Sequence, residues 1–155
     1  MKILAVCAGN ICRSPAAEAA IREAATGAGL DIQVDSAGTG SWHIGQPPHP
    51  EGVAAGTRAG LHVQGRARKV TAADFERFDI ILAMDRANLR DLLSLAPNKE
   101  AQARTRLFRT YDPSAESDEV PDPWGGPRSG YDETVRIVRA AAGGLVAELV
   151  EKSLR

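Results

Sequence analysis

Cysteine is nearly absent from this sequence: Cys7 and Cys12 stand close together, and residues 13–155 contain none. Two cysteines cannot build a disulfide-framed secreted scaffold, and no further Cys or His cluster joins them into a zinc site. They do not form the C-x-x-C of a thioredoxin-like pair. The three histidines, His43, His49 and His62, lack metal-ligand spacing, so no metal or organic cofactor is expected. Aromatics amount to 5%, and the apolar mass is mostly Ala, Val, Leu and Ile. No stretch approaches 18 consecutive apolar residues, which argues against a membrane span. The apolar run at residues 3–6 is too short for a signal-peptide core. A reducing cytoplasm is therefore the expected home, with export by a route lacking a cleaved signal left open. A net charge of −1 gives no bulk field for nucleic acid.

What is present is one domain's worth of chain, residues 1–155, with 43% apolar content. Residues 2–6 read as a buried strand. A 3.6-residue period then carries Ala17, Ala20, Ile21 and Ala24 on one helical face, with Ser14 and Pro15 suited to the N-cap and first helical position. Gly27 and Gly29 end that helix. Residues 32–35 form a second strand candidate, and residues 51–60 a short helix. Thr71, with Glu76 downstream, opens another. "DIILAM", residues 79–84, is the clearest buried strand. Asp85 then caps a helix bearing Leu89, Leu92, Leu93 and Leu95, stopped by Pro97. Residues 105–109 are a weaker fourth strand, 112–130 a long polar loop, and 131–153 a final amphipathic helix. This alternation predicts an α/β fold with a parallel sheet between two helical layers. Ligands of such sheets sit beyond the carboxyl ends of the strands.

The stretch "VCAGNICRS", residues 6–14, occupies that edge. Cys7 ends a strand just before a helix N-terminus, whose unpaired N–H groups and partial positive charge form an anion site. Gly9 and Asn10 tolerate the left-handed backbone that curls such a loop. Arg13 adds a planar fork of donors matched to two phosphate oxygens. The positive surroundings are those in which a cysteine acts as a nucleophile, and Ser14 is placed to donate to the sulfur. A buried structural cysteine is the competing reading, and a nucleotide-binding loop lacks its lysine. With Arg13, Ser14 and Pro15 in place, phosphoryl transfer is favoured.

That chemistry needs a general acid and then a general base. Among Asp112, Asp118, Glu119 and Asp122 of the long loop, Asp122 stands apart. Pro121 and Pro123 restrict the backbone on both sides of it, and Trp124 offers a pocket wall. Asp118 and Glu119 read as a solvated acidic run.

"VCAGNICRSP", "DSAGTGSWHIGQPP", "FDIILAMDRANL" and "VPDPWGG" resemble, in that order, signature segments of the low-molecular-weight protein tyrosine phosphatases, over residues 3 to about 140. The resemblance implies a four-stranded parallel sheet flanked by helices, with a phosphate loop after the first strand. It implies Cys7 as the nucleophile forming a phosphocysteine, Arg13 as the phosphate-binding cation and Asp122 as acid and base. Ala8, Gly9, Asn10, Ile11, Cys12 and Ser14 would form the phosphate loop. Ser36 would support it, and Asp85 would orient the loop or Arg13, although a plain helix cap explains Asp85 as well. Trp42 and Trp124 would wall the pocket. Cys12 would trap an oxidised Cys7 as a reversible disulfide. The implied partners are phosphotyrosine proteins and a cognate tyrosine kinase, with the chain a monomer or weak dimer.

The departures from the family pattern concern specificity. Gly125 stands where relatives carry a second aromatic, Ala8 where Leu is commoner, and Gly65 where relatives often hold a loop-supporting His. Some bacterial relatives act instead on phosphoarginine. The small "WGG" segment leans toward them, whereas Ile11 leans toward phosphotyrosine. Thiol-relay arsenate reduction lacks its extra cysteines. A non-catalytic docking module would lack Cys7, Arg13 or Asp122.

Overall fold

The computed structural model describes residues 1–154. Its elements in chain order are β1 (Lys2–Cys7), α1 (Arg13–Gly27), β2 (Gln33–Gly38), α2 (Pro50–Arg58), α3 (Asp74–Arg77), β3 (Ile80–Ala83), α4 (Arg86–Leu95), α5 (Lys99–Ala103), β4 (Thr105–Leu107), a 3-10 turn (Phe108–Tyr111) and α6 (Arg128–Ser153). The four strands form one parallel sheet in the order β2-β1-β3-β4. β1 is central and buried on both faces, which is why residues 3–6 are unbroken in their apolarity.

Alternation along β1 divides the core. Ile3, Ala5 and Cys7 pack with Ala17 and Ile21 of α1 and with Val138 and Leu145 of α6. Leu4 and Val6 face the other way, against Phe75 of α3, Leu92 of α4 and Ala101 of α5. The result is the expected three-layer α/β sandwich. Each large aliphatic side chain buried here contributes about 1.5–3 kcal/mol. No helix among the described residues is long and apolar enough to cross a membrane.

Several local expectations are corrected. α1 begins at Arg13 with Cys12 in the cap position and no side-chain cap, because the Ser14 hydroxyl is engaged elsewhere. β2 runs on to Gly38. Thr71 does not open α3; its N–H donates to Asp74 Oδ2 at 2.8 Å, so the aspartate closes back on it. α5 is an element the sequence reading lacks, capped by Asn98 Oδ1, which accepts from Ala101 N at 2.8 Å. β4 gives way after Leu107 to the 3-10 turn, and α6 starts at Arg128 directly after Pro127.

One buried ion pair ties α3 to Arg68, whose backbone N–H bonds Asn10 in the loop after β1. Asp74 is 1% exposed and accepts from both terminal nitrogens of Arg68, at 3.0 and 3.1 Å. Arg68 also bonds Asp35 on β2. Breaking a fully buried pair costs about 3–5 kcal/mol; Arg68 is 35% exposed, so the loss is smaller. Asp74→Ala is expected to destabilise the fold by about 2–3 kcal/mol, read from its urea midpoint. An unchanged midpoint would remove the pair from the account of stability.

Candidate active site

β1 is the switch point of the sheet, since the chain leaves it toward β2 on one side and reaches β3 on the other. A crevice opens there at the carboxyl edge. Residues 8–12 curl through it into the N-terminus of α1. Asn10 has φ +57, the only non-glycine with positive φ among the described residues. Its side chain holds that conformation: Nδ2 donates to Ser14 Oγ (2.8 Å) and Ser36 Oγ (3.0 Å), and Oδ1 accepts from Arg68 N (3.0 Å). A left-handed asparagine with three such bonds is over-determined by its surroundings.

Two glycines are needed for this construction. A Cβ on Gly38 would lie 2.7 Å from the Ala8 carbonyl oxygen, so the end of β2 meets the loop backbone directly. Gly65 has φ +119, a conformation that L side chains rarely adopt. Three residues on, the Arg68 backbone N–H donates to Asn10 Oδ1.

Two donors converge on the Cys7 sulfur. Asn10 N donates to Sγ at 3.2 Å, and Ser14 Oγ lies 3.0 Å away. Ser14 Oγ accepts from Asn10 Nδ2, and its own proton can turn to the sulfur at 3.0 Å or to the more distant Ala37 carbonyl at 3.5 Å. Cys12 is different. Burial, and then the neighbouring Cys7, push its thiol up to about 12, so it stays protonated at neutral pH. Both cysteines are free.

Arg13 is buried, and its NH1 donates to Asp85 Oδ2 (2.7 Å) and the Val120 carbonyl (3.0 Å). This fixes one side of the fork. NH2 lies 3.9 Å from Asp122 Oδ2, at the pocket that Arg13 helps to line. Asp85 fills both roles considered for it, with Oδ1 capping α4 at Asn88 N (2.7 Å) and Oδ2 holding Arg13. Asp122 is 56% exposed at the pocket mouth, and its Oδ1 accepts from Trp124 N at 3.1 Å. Three other acids of the long loop point elsewhere: Asp112 accepts from Ser114 N, while Asp118 and Glu119 bond Arg86.

The pocket has a volume of about 200 Å³. Cys7 and Arg13 lie in it with Ala8, Gly9, Ile11 and Cys12, while Trp42, Trp124 and Asp122 stand around them. Trp42 and Trp124 are largely exposed. Gly125, with φ +78, contributes no wall.

Nine of the candidate residues (Cys7, Ala8, Gly9, Ile11, Cys12, Arg13, Trp42, Asp122 and Trp124) line this pocket, and Asn10, Ser14, Ser36 and Asp85 bond to one another or to the lining from behind it. Two further residues join them. His43 lines the pocket over Gly9, its Nδ1 bonded to Gln46 Oε1 at 2.9 Å; the only sequence signal was its place beside Trp42. Tyr131 of α6 is buried and stacks on His49 with ring centroids 5.2 Å apart, and His49 N donates to the Ile11 carbonyl. Burial holds the Tyr131 phenol above its ordinary range. Among the described residues no three His, Cys, Asp or Glu side chains are grouped as metal ligands.

The model for the low molecular weight phosphotyrosine protein phosphatases matches residues 2–154. The chain belongs to this family. Its members are hydrolases. The low molecular weight protein-tyrosine-phosphatase of Streptomyces coelicolor is 41% identical over 155 residues, covering 97% of this chain and 94% of the relative. A protein tyrosine phosphatase from Entamoeba histolytica, crystallised with Hepes in its active site, superposes with a TM-score of 0.95 at 35% identity, covering 99% of both chains. More distant is the YwlE arginine phosphatase, with a TM-score of 0.85 at 26% identity over 97% of both chains. That structure is a cysteine-to-serine mutant whose active-site serine is phosphorylated.

Proposed function

We propose that this chain hydrolyses phosphotyrosine monoesters in proteins through a phosphocysteine on Cys7. The observation that carries the reading is the convergence of Cys7, Arg13 and Asp122 on one small pocket flanked by Trp42 and Trp124. The Cys7 sulfur, as the thiolate, attacks phosphorus in line and is regenerated as the thiolate when the S–P bond breaks. The S–P bond forms as the P–O bond to the tyrosine ring breaks. Asp122 gives its proton to the departing phenolate oxygen. Arg13 and the loop N–H groups hold the equatorial oxygens, and such fixed donors supply most of the barrier lowering in phosphoryl transfer. Asp122, now ionised, takes a proton from water as that water attacks phosphorus. The S–P bond breaks, inorganic phosphate leaves, and Ser14 donates to the departing sulfur. The phosphorylated serine of the structural relative supports a covalent step at this position.

The alternative substrate is phosphoarginine, favoured by the bare Gly125–Gly126 side of the mouth and by the arginine phosphatase among the structural relatives. Ile11 weighs against it. This side chain lines the pocket beside the phosphoryl site, whereas Gly125 lies outside it. The experiment compares kcat/KM on a phosphotyrosine peptide and on a phosphoarginine protein. Tenfold or greater preference for the peptide, about 1.4 kcal/mol of discrimination, is the expected result. Preference for phosphoarginine would reject the tyrosine reading while keeping the chemistry of Cys7 and Arg13.

A further inference from the structure

Asp122 is carried by residues 112–127, a segment with no helix or strand. A catalytic acid must nevertheless be held within hydrogen-bond reach of the leaving oxygen. The chain is pinned just before it. Val120 is fully buried, and its N–H donates to the Met84 carbonyl at 2.8 Å. The Val120 carbonyl accepts from Arg13 NH1 at 3.0 Å, and the Glu119 carbonyl accepts from Arg109 NH1 at 2.8 Å. Two buried guanidinium groups thus grip consecutive carbonyls, two and three residues ahead of Asp122.

Arg13 has its partner in Asp85 and its use in the pocket. Arg109 has no such use and, among the described residues, no carboxylate in direct contact; Glu133 of α6 feels its charge only through space. It is 6% exposed, and its Nε has no hydrogen-bond partner among the described residues. Burying a cation with an unmet donor is costly, and an apolar side chain would fill the same space without that cost. The direct contact its guanidinium makes is the bond to the Glu119 carbonyl. Arg109 lies in the 3-10 turn that follows β4, at the carboxyl edge of the sheet, so this bond references the acid-bearing segment to the rigid scaffold.

We propose that Arg109 is a positioning residue for Asp122, fixing the acid over the pocket through the Glu119–Val120 backbone. The proposal rests on Asp122 being the general acid. In kcat/KM, which reports the first chemical step, it predicts a defect that follows the leaving group's need for an acid. R109M should lower kcat/KM on phenyl phosphate, a poor leaving group, by about tenfold or more, since small misplacements in an active site cost up to about 10²-fold. On 4-nitrophenyl phosphate, whose leaving group needs little protonation, the loss should stay below about threefold. Inhibition by inorganic phosphate should change less than about twofold, because the phosphate loop is untouched. R109K, which retains a donor and the charge, should restore most of the phenyl phosphate rate. If R109M does not fold, R109Q is read in the same way.

Equal losses on the two substrates, or none, would overturn the proposal. D122A, assayed in parallel, separates the two levels. If D122A shows the leaving-group dependence and R109M does not, the positioning role falls and the acid stands. If D122A lacks it, the acid assignment falls and takes the positioning role with it.

Discussion

Cys7→Ser is expected to lose steady-state turnover on aryl phosphates by at least about 10⁴-fold, because loss of the nucleophile in a covalent mechanism costs on the order of 10⁴–10⁶. The substitution changes one atom in a site whose other contacts remain. Asn10 N and Ser14 Oγ still converge at the position, and Arg13 is still held by Asp85 and Val120. Binding of inorganic phosphate should therefore persist, and any serine ester formed should accumulate, since the serine alkoxide is a poorer leaving group than a thiolate. Retained turnover would mean that the nucleophile lies elsewhere. The alternative thiol, Cys12, is poorly suited. With its titration pushed up to about 12 it is protonated across the physiological range and ionises only as pH climbs toward that value. Iodoacetamide at neutral pH should accordingly label Cys7 and spare Cys12; the reverse pattern would exchange their roles.

Asp122→Ala should lower kcat/KM on phenyl phosphate by about 10²–10⁴-fold, the usual contribution of a positioned proton donor. On 4-nitrophenyl phosphate the loss in kcat/KM should be at least about tenfold smaller, because the leaving oxygen departs without help. In the proposed mechanism water attack on the phosphocysteine uses the same carboxylate as base, so kcat should fall on both substrates. Geometry supports the assignment: Asp122 is the one carboxylate of the long loop that lines the pocket, and Trp124 N holds one of its oxygens. Equal effects on kcat/KM for the two substrates would reject it.

The elements that sequence made legible are those whose cause is local. Residues 3–6 and 80–83 are apolar because parallel strands are buried on both faces. The curl from Cys7 to Arg13 follows from a strand, a glycine, a left-handed asparagine and a helix start in quick succession. Asp122 stood out because two prolines bracket it. Local signals also misled. Ser14 followed by Pro15 looks like a helix cap, yet the hydroxyl serves Cys7 and Asn10, and the helix begins two residues earlier, at Arg13, with no side-chain cap. What stayed hidden is long-range. Nothing near Arg68 announces that its backbone N–H completes the Asn10 network across 58 positions. Nothing near Arg109 announces a grip on Glu119, and His43 reaches the pocket only because the 39–49 loop folds back over Gly9. Such contacts are made by tertiary packing, which one-dimensional periodicity does not encode.

On the proposed route phosphorus passes through the Cys7 sulfur. Mixing the protein with excess phosphotyrosine peptide, quenching in acid within milliseconds and mapping the phosphoryl group on its peptides by mass spectrometry decides this. The expected result is one acid-stable, thiol-linked phosphoryl group on Cys7 in the wild type, with a larger steady-state fraction in Asp122→Ala, where water is no longer activated. A phosphoryl group on Cys12 or on another side chain, or turnover with no labelled peptide at any time, would contradict the account.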